Sequence, residues 1–366
     1  MQVATNEKSF LVRQDAWLPS EKATPFRGKE KFKELRELHA LSLQEKIELT
    51  ETFISHLVGE HEHPLVAWSG GRDSTVLLYL VLRQKPDIDV GWVNTGVEFP
   101  ECIHFIRRLR EEWRINLYTA RPETSFWQTS EKYGWPILGK GSSGYWWSRA
   151  DALEKKGRRK LARATRDARI SAACCRILKE KPMAALCRRL HVDCVIAGNL
   201  VAESRQRFLI WAQRGACYFS SKRQRCSAWP LAWWTNEDIL EFHRRFRLPH
   251  SRIYDIGHSR NGCWPCLMDF RFPDNKLGIL RQSHPKLWQF LIVNKGLGKR
   301  ILALKLALED DGDTEDTRLE SIYSHFETNS SPAEVKHEAH DLRFLGKLDE
   351  YVKTVAELNP EFFNSI

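Results

Sequence analysis

The sequence predicts an α/β fold with a doubly wound parallel sheet and helical additions at its N- and C-terminal ends. Short apolar runs bounded by glycine, proline or polar residues predict buried strands at 65–68, 90–93, 115–118 and 194–197. Apolar residues at helical spacing follow the first two runs, at 73–84 and 101–113. A glycine pair joins the first strand to its helix. Alternating buried strands and amphipathic helices are typical of a parallel sheet with helices on both faces.

The chain divides by pattern into three parts. Residues 1–62 predict a helical N-terminal extension, and residues 63–275 predict the α/β domain. Within that domain, a basic insertion rich in tryptophan and glycine lies near 121–173. Residues 276–366 have the apolar spacing of a helical C-terminal region.

Local signals refine the flanking parts. Residues 1–30 predict an irregular arm, and residues 31–59 predict two helices that break near Ser42, where Glu45 would complete a capping box. The tail of the basic insertion, 151–171, predicts one basic helix. An acidic stretch at 309–317 predicts an exposed loop in the C-terminal region.

The charge balance favours a polyanionic partner. Of the 366 residues, 57 are Lys or Arg and 47 are Asp or Glu, which gives a net charge of +10. Each basic run by itself is also typical of a solvated helix face, whereas several runs beside a nucleotide site indicate a nucleic-acid partner. The runs are KKGRRK at 155–160, KRQR at 222–225, HRRFR at 243–247, and Arg163, Arg166 and Arg169.

Targeting signals are not evident in the sequence. No apolar run approaches the roughly 20 residues that a membrane-spanning helix requires. The first residues also lack the basic-then-apolar layout of a secretory signal. We therefore expect a cytoplasmic protein with no membrane partner.

The phrase SGGRDS between the first strand and its helix predicts a pyrophosphate loop. Glycines there allow backbone amides to approach phosphate oxygens, and the following helix N-terminus favours an anion. Asp73 is suited either to hold Mg²⁺ on the phosphates or to cap the helix. The alternative interpretation is a strand-to-helix turn that binds no ligand. The predicted ligands are ATP and Mg²⁺, bound by Ser69, Gly70, Gly71, Arg72, Asp73 and Ser74.

Four segments together resemble the phosphoadenylyl-sulfate reductase family, within the larger group of ATP-pyrophosphatase-loop enzymes. They are SGGRDS with VNTGVEFPE at 93–101, GNLVAESRQR at 198–207, the segment from PLAWW to YDIGH at 230–258, and NGCWPC at 261–266. The resemblance spans about residues 60–270 in the family's order. It implies an adenine-nucleotide alpha-hydrolase-like arrangement of the sheet.

The resemblance also implies roles for residues outside the loop. Glu98 would assist with metal or water, and Arg205 and Arg207 would grip phosphate or sulfate, oriented by Glu203. Nucleotide contacts are implied at Asn94, Thr95 and Gly96. The implied catalytic set is Asp73, Arg72, Glu98 and Arg205. Ordinary surface pairing is the alternative interpretation of these charged residues.

Four of the nine cysteines stand apart as two pairs. Cys174-Cys175 and Cys263-x-x-Cys266 resemble the iron–sulfur ligand set of adenylyl-sulfate reductases, which implies a [4Fe–4S] cluster. A Zn²⁺ site and uncoordinated thiols are the alternatives, in that order. We expect the other five to be small buried hydrophobic residues: Cys102, Cys187, Cys194, Cys217 and Cys226.

The reaction expected for this sequence depends on one difference from the reductases of that family. Its reductases carry a nucleophilic cysteine in a C-terminal tail, whereas residues 267–366 of this sequence contain no cysteine. The remaining features resemble the ATP-pyrophosphatase component of bacterial DNA phosphorothioation systems of the Dnd and Ssp kind. That resemblance implies adenylation of a backbone phosphate, with DNA and a cysteine desulfurase as partners.

Other functions also stay open for this sequence. A sulfonucleotide reductase that borrows a thiol, a tRNA-thiolating enzyme, and a non-catalytic nucleic-acid or partner-binding module all fit the same motifs.

Overall fold

The computed structural model describes residues 28–137, 145–267 and 276–301, and the chain separates into two compact units. The first, here called the sheet unit, comprises the described residues up to Asn94 together with Pro100–Arg121 and Lys181–Arg252. The second, here called the cysteine unit, comprises Thr95–Phe99, Pro122–Glu180 and the described residues from Ile253 onward.

The sheet unit is built on six strands in the order β3-β2-β1-β4-β6-β5. All neighbours are parallel except β5 and β6, which form an antiparallel pair at one edge. The strands are β1 (Pro64–Ala67), β2 (Asp89–Val93), β3 (Asn116–Ala120), β4 (Cys194–Ala197), β5 (Cys217–Ser220) and β6 (Arg225–Ala228).

The strand order makes the sheet doubly wound. From β1 the chain adds β2 and β3 on one side, then returns to place β4 on the other side of β1. Because such crossovers are right-handed, this reversal puts connecting helices on opposite faces. The predicted α/β fold class is confirmed, and the reversal between β1 and β4 marks the sheet edge where ligands usually bind.

Helices connect and flank the strands. In chain order the α-helices are α1 (Gly28–His39), α2 (Leu43–Glu60), α3 (Arg72–Leu82), α4 (Pro100–Glu112), α5 (Phe126–Tyr133), α6 (Trp146–Lys155), α7 (Arg159–Asp167), α8 (Ala173–Cys175), α9 (Lys181–Arg189), α10 (Arg205–Arg214), α11 (Asn236–Arg245), α12 (Lys276–Ser283) and α13 (Pro285–Gln289). A 3₁₀ turn covers Val201–Glu203, and π-helical turns cover Arg176–Glu180 and Phe290–Asn294.

The N-terminal helices belong to the core of the sheet unit. Ser42 caps α2 through the predicted capping box, in which the Glu45 carboxylate accepts from the Ser42 amide at 2.9 Å. One turn further, the buried Lys46 ammonium donates to Asp238 on α11 at 2.6 Å. The indole of Trp234 donates to Thr50 at 2.9 Å, in the middle of α2. These buried polar contacts attach the N-terminal extension to the α/β layers.

Two features differ from the sequence prediction. Strands β5 and β6 were not predicted, because each has only four residues and carries polar side chains among its apolar ones. The predicted basic helix over 151–171 is instead two helices, α6 and α7. They break at Gly157, whose φ of 74° lies in the left-handed region that favours glycine.

The sequence also predicted the structure of the two terminal regions. The helical pattern of the C-terminal region is confirmed from Lys276 to Asn294. Residues 1–27 of the predicted arm and the acidic stretch at 309–317 lie outside the described residues. Within the described part of the chain, no helix is both long and apolar enough to cross a membrane.

Candidate nucleotide and cysteine sites

The SGGRDS loop leaves the carboxyl end of β1 and opens α3. Gly70 has a φ of 74°, and a Cβ there would lie 2.9 Å from the Ile106 side chain, so only glycine fits. Gly71 is the N-cap residue in extended conformation, and the first intrahelical bond runs from the Thr75 amide to its carbonyl at 2.9 Å. The first turn of α3 therefore directs its amides toward the loop, as a phosphate site requires.

The two serines hold the loop in shape. The hydroxyls of Ser69 and Ser74 lie 3.0 Å apart, and the Ser69 amide donates to the Ser74 hydroxyl at 3.2 Å. The Gly71 amide donates to the Ser69 hydroxyl, and the Ser74 hydroxyl donates to the Gly71 carbonyl. Ser74 is buried whereas Ser69 is exposed. These bonds tie the two ends of the loop to each other and fix its backbone at the start of α3.

Neighbouring side chains anchor the loop from both sides. The Trp68 indole donates to the Thr75 hydroxyl at 3.1 Å, beneath the start of α3. His243 on α11 lies with its Nε2 3.2 Å from the Arg72 carbonyl oxygen. Burial lowers the pKa of His243, which favours the neutral imidazole in the folded protein.

Gly198, just after β4, is a further determinant of the loop that sequence reasoning did not assign. A Cβ at this position would lie 3.0 Å from the Asp73 carbonyl oxygen and 3.2 Å from the Ser74 Cα. Backbone atoms this close leave no room for a side chain. The glycine opens the GNLVAESRQR segment, but only the structure shows that it abuts the loop.

The segment after β4 carries the predicted oxyanion-binding arginines. Arg207 pairs with the Glu203 carboxylate, the arrangement expected if Glu203 orients it, and also donates to the Leu200 carbonyl at 3.4 Å. Ser204 caps α10 by accepting from the Arg207 amide at 3.2 Å. Arg205 opens α10, and its side chain lies outside the described part of the chain. Because β1 and β4 are parallel neighbours, this segment and the loop leave the sheet at the same edge.

The NTGVE segment is divided between the units. The Asn94 amide donates to the Ala120 carbonyl at 2.9 Å and extends the pairing of β2 with β3. In the cysteine unit, the Glu98 carboxylate accepts from the Thr95 amide at 3.1 Å, the Thr95 hydroxyl at 2.6 Å and the Gly96 amide at 3.1 Å. Glu98 thus closes the turn that contains Thr95 and Gly96. Its implied role toward metal or water stays a prediction.

All four paired cysteines line one cavity of about 100 Å³ inside the cysteine unit. Cys174 is buried, and the other three are partly exposed. The cavity is lined by Phe126, Cys174, Cys175, Leu178, Lys179, Arg260, Asn261, Gly262, Cys263, Cys266 and Lys276. Residues about 90 positions apart in the sequence therefore supply thiols to a single space.

Local structure explains how each pair enters the cavity. Helix α8, which carries Cys174 and Cys175, continues into the π-helical turn Arg176–Glu180, a distortion frequent at functional sites. The second pair lies on a tight turn in which the Cys266 amide donates to the Cys263 carbonyl at 3.1 Å. Cys263 also forms a β-bridge with Glu98, and its sulfur lies 3.7 Å from the Thr95 hydroxyl.

Lys276 is a second residue that no sequence pattern identified. Its ammonium donates to the carbonyls of Cys263 at 3.0 Å and Cys266 at 2.8 Å, and the residue is only 5% exposed. The ammonium satisfies both carbonyls of the turn and fixes the spacing of the second cysteine pair. Hydrogen bonds to a charged group of this kind typically contribute about 1.5–3 kcal/mol.

Replacing Lys276 with methionine is expected to loosen the cysteine turn without unfolding the protein. In metal-free protein, alkylation of Cys263 and Cys266 should become several-fold faster, because both carbonyls lose their donor. Peptide mapping after timed alkylation measures this rate, and Lys286→Met, at an exposed position of α13 outside the cavity lining, is the control. Equal rates in the Lys276 variant and the unmodified protein would contradict the assigned role.

Lys179 places a positive charge against the thiols. Cys263, followed by Cys175 and Glu98, raises the pKa of the Lys179 ammonium above its ordinary value. The Lys179 side chain is exposed to solvent. Solvent screening therefore limits what its charge contributes to the stability of the fold. The hydrogen bond with Cys175, together with burial, raises the pKa of the Cys174 thiol. A cation at this cavity favours anionic sulfur on its partners.

The donor set suits a thiolate-ligated group in number and chemistry. Four thiols line the cavity, and no imidazole is among the lining residues. Across the described residues, no three His, Cys, Asp or Glu side chains are already arranged to hold a metal ion.

The fold and the loop together define a nucleotide-binding α/β protein whose SGGRDS loop lies at the switch point of a parallel sheet. Residues 63–268 match the phosphoadenosine phosphosulfate reductase domain. This match covers more than half of the chain, and the chain belongs to that family.

Individual relatives are distant. An adenosine 5'-phosphosulfate reductase of Staphylococcus epidermidis is 24% identical over 202 residues, 54% of this chain and 68% of that protein. A phosphoadenosine 5'-phosphosulfate reductase of Xylella fastidiosa is 26% identical over 201 residues, 55% of this chain and 71% of that protein. An uncharacterized protein of Methanocaldococcus jannaschii is 25% identical over 62% of this chain, but the match spans only 40% of that protein.

Solved structures are similar at a lower level. The phosphoadenylyl-sulfate reductase of Candida auris in its phosphate complex has a TM-score of 0.40 and 16% identity. The similarity covers 66% of this chain and 98% of that chain.

Proposed function

We propose that this protein is an ATP pyrophosphatase that adenylates a nucleic-acid backbone phosphate for sulfur incorporation in DNA phosphorothioate modification. The observation that carries the proposal is the SGGRDS loop, hydrogen-bonded within itself, at the carboxyl edge of β1. Its glycines, its serine network and the first turn of α3 suit it to a pyrophosphate group. Such a site assists a reaction in which pyrophosphate leaves.

The proposed chemistry has two steps. A non-bridging oxygen of the backbone phosphate attacks the α-phosphorus of ATP, the bond to the β-phosphate oxygen breaks, and pyrophosphate leaves with the electron pair. The backbone phosphate is then joined to AMP. In the second step a sulfur nucleophile forms a bond to the backbone phosphorus, and AMP leaves.

Different residues of the sheet unit would serve different parts of this reaction. The α3 amides and Arg72 would stabilise charge on the departing pyrophosphate, and Asp73 would hold Mg²⁺ on the phosphates. Arg205 and Arg207 would bind the acceptor phosphate at the same sheet edge. In-line alignment of attacking and leaving oxygens is the main contribution expected from such a site.

The cysteine cavity is proposed to hold a [4Fe–4S] cluster through Cys174, Cys175, Cys263 and Cys266, with Zn²⁺ as the less favoured occupant. When bound, a cluster supplies a thiophilic, positively polarised centre. The residues themselves supply four sulfur ligands, the Lys179 charge beside them and the Lys276 bonds that set the second pair.

A nucleic-acid partner is supported by three adjoining aromatic rings in the cysteine unit, here called the aromatic platform: Tyr133 and Tyr145, which are stacked, and Trp147, which is tilted against Tyr145. Ring centroids are 4.6 Å apart for Tyr133 and Tyr145 and 4.8 Å apart for Tyr145 and Trp147. Trp147 is 39% exposed, among the most exposed large apolar side chains described. Stacked rings that reach solvent match the way unpaired bases are bound.

Cations surround the aromatic platform. The Arg176 guanidinium lies 5.0 Å from the Tyr145 ring, and the Lys132 ammonium lies 5.2 Å from the Tyr133 ring. Exposed basic residues continue through the break between α6 and α7, at Lys155, Lys156 and Arg159. Rings for base stacking combined with charges for phosphates favour single-stranded or unpaired nucleic acid.

Removing two rings of the platform should weaken binding of single-stranded DNA. For Tyr145→Leu combined with Trp147→Leu, we expect at least a tenfold loss, since stacking contributes roughly 1–3 kcal/mol per base. Fluorescence anisotropy with a labelled oligonucleotide measures the change, and Leu240→Ala at an exposed position of α11 is the control. Unchanged affinity in the double variant would exclude the platform from binding.

A cysteine desulfurase as sulfur donor and a cytoplasmic location belong to the same proposal. The desulfurase follows from the sequence resemblance and is tested by co-purification from cells that express a tagged chain, whereas the location is the expectation drawn from the sequence itself.

Sulfonucleotide reduction is the second candidate, favoured by the reductases among the relatives at about 25% identity. In that reaction the loop would bind adenylyl sulfate or phosphoadenylyl sulfate, and an external thiol would attack the sulfur. Release of sulfite from either nucleotide in the presence of thioredoxin would favour this candidate.

The proposal is tested by following the adenylyl group. The protein is incubated with ATP labelled at the α-phosphate, Mg²⁺ and DNA, without a sulfur donor. Label transferred to DNA, and absent with Asp73→Ala, is the expected result. ATP cleavage without label on DNA, alongside transfer to tRNA, would replace DNA by tRNA as the substrate.

A further inference from the structure

Helix α11 meets the start of α3 through one buried side chain, His243, which is 8% exposed. Packed aromatic rings hold the two helices together. The centroid of the Tyr79 ring on α3 lies 6.0 Å from that of Phe242 on α11 and 6.1 Å from that of Phe246 at the end of α11. Because both helices belong to the sheet unit, their packing sets the position of the imidazole.

Each ring nitrogen of His243 faces a backbone carbonyl oxygen. Nε2 lies 3.2 Å from the Arg72 oxygen, and Nδ1 lies 3.3 Å from the Leu248 oxygen. Carbonyl oxygens only accept hydrogen bonds, whereas a neutral imidazole carries a single N–H. Neutral His243 therefore donates to one of the two carbonyls and directs a lone pair at the other. Only the imidazolium donates to both.

The two carbonyls belong to different parts of the sheet unit. Arg72 is the first residue of α3, directly after the N-cap Gly71, so its carbonyl lies in the turn that closes the SGGRDS loop. Leu248 follows the C-terminal end of α11, where its amide donates to the His243 carbonyl at 3.0 Å. The imidazole thus links the end of α11 to the first turn of α3.

The protein groups around His243 oppose a positive charge on the ring. Burial lowers the pKa of the imidazole below its ordinary value, and the two backbone carbonyls offset this effect only in part. Among the described residues, Arg72 on α3 and His250 beyond α11 are the titratable groups that act on the ring, and both disfavour its protonation. The His250 ring lies 6.3 Å from the His243 ring. These groups favour the neutral imidazole, which leaves one carbonyl facing a lone pair.

A pyrophosphate group at the SGGRDS loop would reverse this balance. It would place several negative charges at the first turn of α3, whose Arg72 carbonyl His243 contacts. A nearby anion favours the protonated form of an imidazole and raises its pKa. Protonated His243 donates to both carbonyls, and hydrogen bonds from a charged donor are the stronger kind. The anion and the proton therefore strengthen each other's binding, as thermodynamic linkage requires.

We propose that His243 is a positioning residue of the SGGRDS loop and that binding of a phosphate ligand there is coupled to uptake of a proton by its imidazole. This inference rests on the proposed nucleotide site, but it concerns binding of the anion rather than transfer of the adenylyl group. The proton comes from solvent and goes to the ring nitrogen that the neutral form leaves bare. The imidazolium then fixes the Arg72 carbonyl, and with it the first turn of α3, relative to α11.

The dependence on pH has a defined direction. The pKa of His243 is lowered by burial in the protein alone and would be raised by the anion. Between these two pKa values the complex binds more protons than the free protein, so the affinity for the ligand rises as the pH falls. Above both values the imidazole is neutral with and without ligand, and the affinity no longer depends on its charge.

Substitutions separate the charge of His243 from its hydrogen bond. His243→Gln keeps an N–H donor for the Arg72 carbonyl but cannot take up a proton. His243→Asn, whose amide replaces Nδ1 instead of Nε2, is a second variant of this kind. His243→Leu removes both properties and keeps a buried apolar side chain. His250→Gln is the matched control, because His250 is a partly buried histidine beside the same ring.

The test measures proton uptake when the full-length protein binds α,β-methylene ATP, inorganic pyrophosphate or adenylyl sulfate. Isothermal titration at pH 6 in buffers of different ionisation enthalpy gives the number of protons taken up per ligand. The unmodified protein and His250→Gln should each take up about half a proton more than His243→Gln or His243→Asn. From pH 8 to pH 6, the affinity of the unmodified protein should rise about threefold more than that of His243→Gln. At pH 8, His243→Gln should bind more tightly than His243→Leu.

Equal proton uptake by the unmodified protein, His243→Gln and His243→Asn would overturn the inference, as would loss of the uptake in His250→Gln alone. Equal affinities of His243→Gln and His243→Leu at pH 8 would contradict the positioning role. Uptake through His243 without cleavage of ATP would remove only the proposed function, whereas cleavage of ATP with unchanged uptake in His243→Gln would remove only this inference. Binding of none of the three ligands would overturn both.

Discussion

Replacing Gly198 with valine is expected to reduce ATP binding by at least tenfold and to abolish measurable ATP turnover. The Cβ of any residue here meets the Asp73 carbonyl at 3.0 Å and the Ser74 Cα at 3.2 Å, and a branched side chain adds two further carbons. The loop backbone must then move, and overpacking of this kind costs about 1–3 kcal/mol. A displacement of the first turn of α3 misaligns the amides and Asp73 with the phosphates.

The measurement is isothermal titration with a non-hydrolysable ATP analogue, alongside thermal unfolding. Gly59→Ala is the matched control, since a Cβ at Gly59 on α2 meets nothing within 4 Å. The control should bind ATP normally. If Gly198→Val remains folded and binds the analogue with unchanged affinity, the loop does not form the nucleotide site.

Replacing Cys263 with serine is expected to remove most of the iron from anaerobically purified protein. Its thiol lines the cavity with Cys174, Cys175 and Cys266, and a hydroxyl of similar size is a weak ligand for iron. Loss of one of four thiolates should lower the iron and acid-labile sulfide contents to less than a tenth of normal. The brown absorption of a cluster should disappear with them.

Metal analysis and visible absorption measure this effect. Cys187→Ser is the control, because Cys187 is buried elsewhere and lies outside the lining of the cavity. Full iron content in Cys263→Ser would show that these four thiols are not the ligand set. Zinc in place of iron, lost in Cys263→Ser and kept in Cys187→Ser, would identify the alternative occupant.

The sequence predicted the parts of the fold that local patterns determine. Apolar runs located four of the five mutually parallel strands. Three of these four, β1, β2 and β4, are largely buried, and strands covered on both faces need continuous apolar residues. The sequence also located the start of α2, because Ser42 and Glu45 form a capping box between near neighbours in the chain. Strands β5 and β6 escaped prediction, because each has only four residues with polar side chains among them, and such short strands take their stability from the neighbouring ladder.

Long-range contacts of the sites were beyond sequence patterns. The SGGRDS phrase identified the loop, but the need for glycine at 198 arises only when β4 packs beside β1. Likewise, Lys276 donates to backbone carbonyls of the cysteine turn. Every residue type has such a carbonyl, so no sequence pattern indicates this contact.

The most direct test of the central claim is analysis of the products that the protein forms from Mg-ATP and DNA. We predict AMP and pyrophosphate, in equal amounts after the adenylated intermediate is discharged, with no formation by Asp73→Ala. Such products require cleavage between the α- and β-phosphates, which is the reaction that a pyrophosphate-binding loop promotes. ADP and inorganic phosphate as the products, or turnover that persists in Asp73→Ala, would contradict the account.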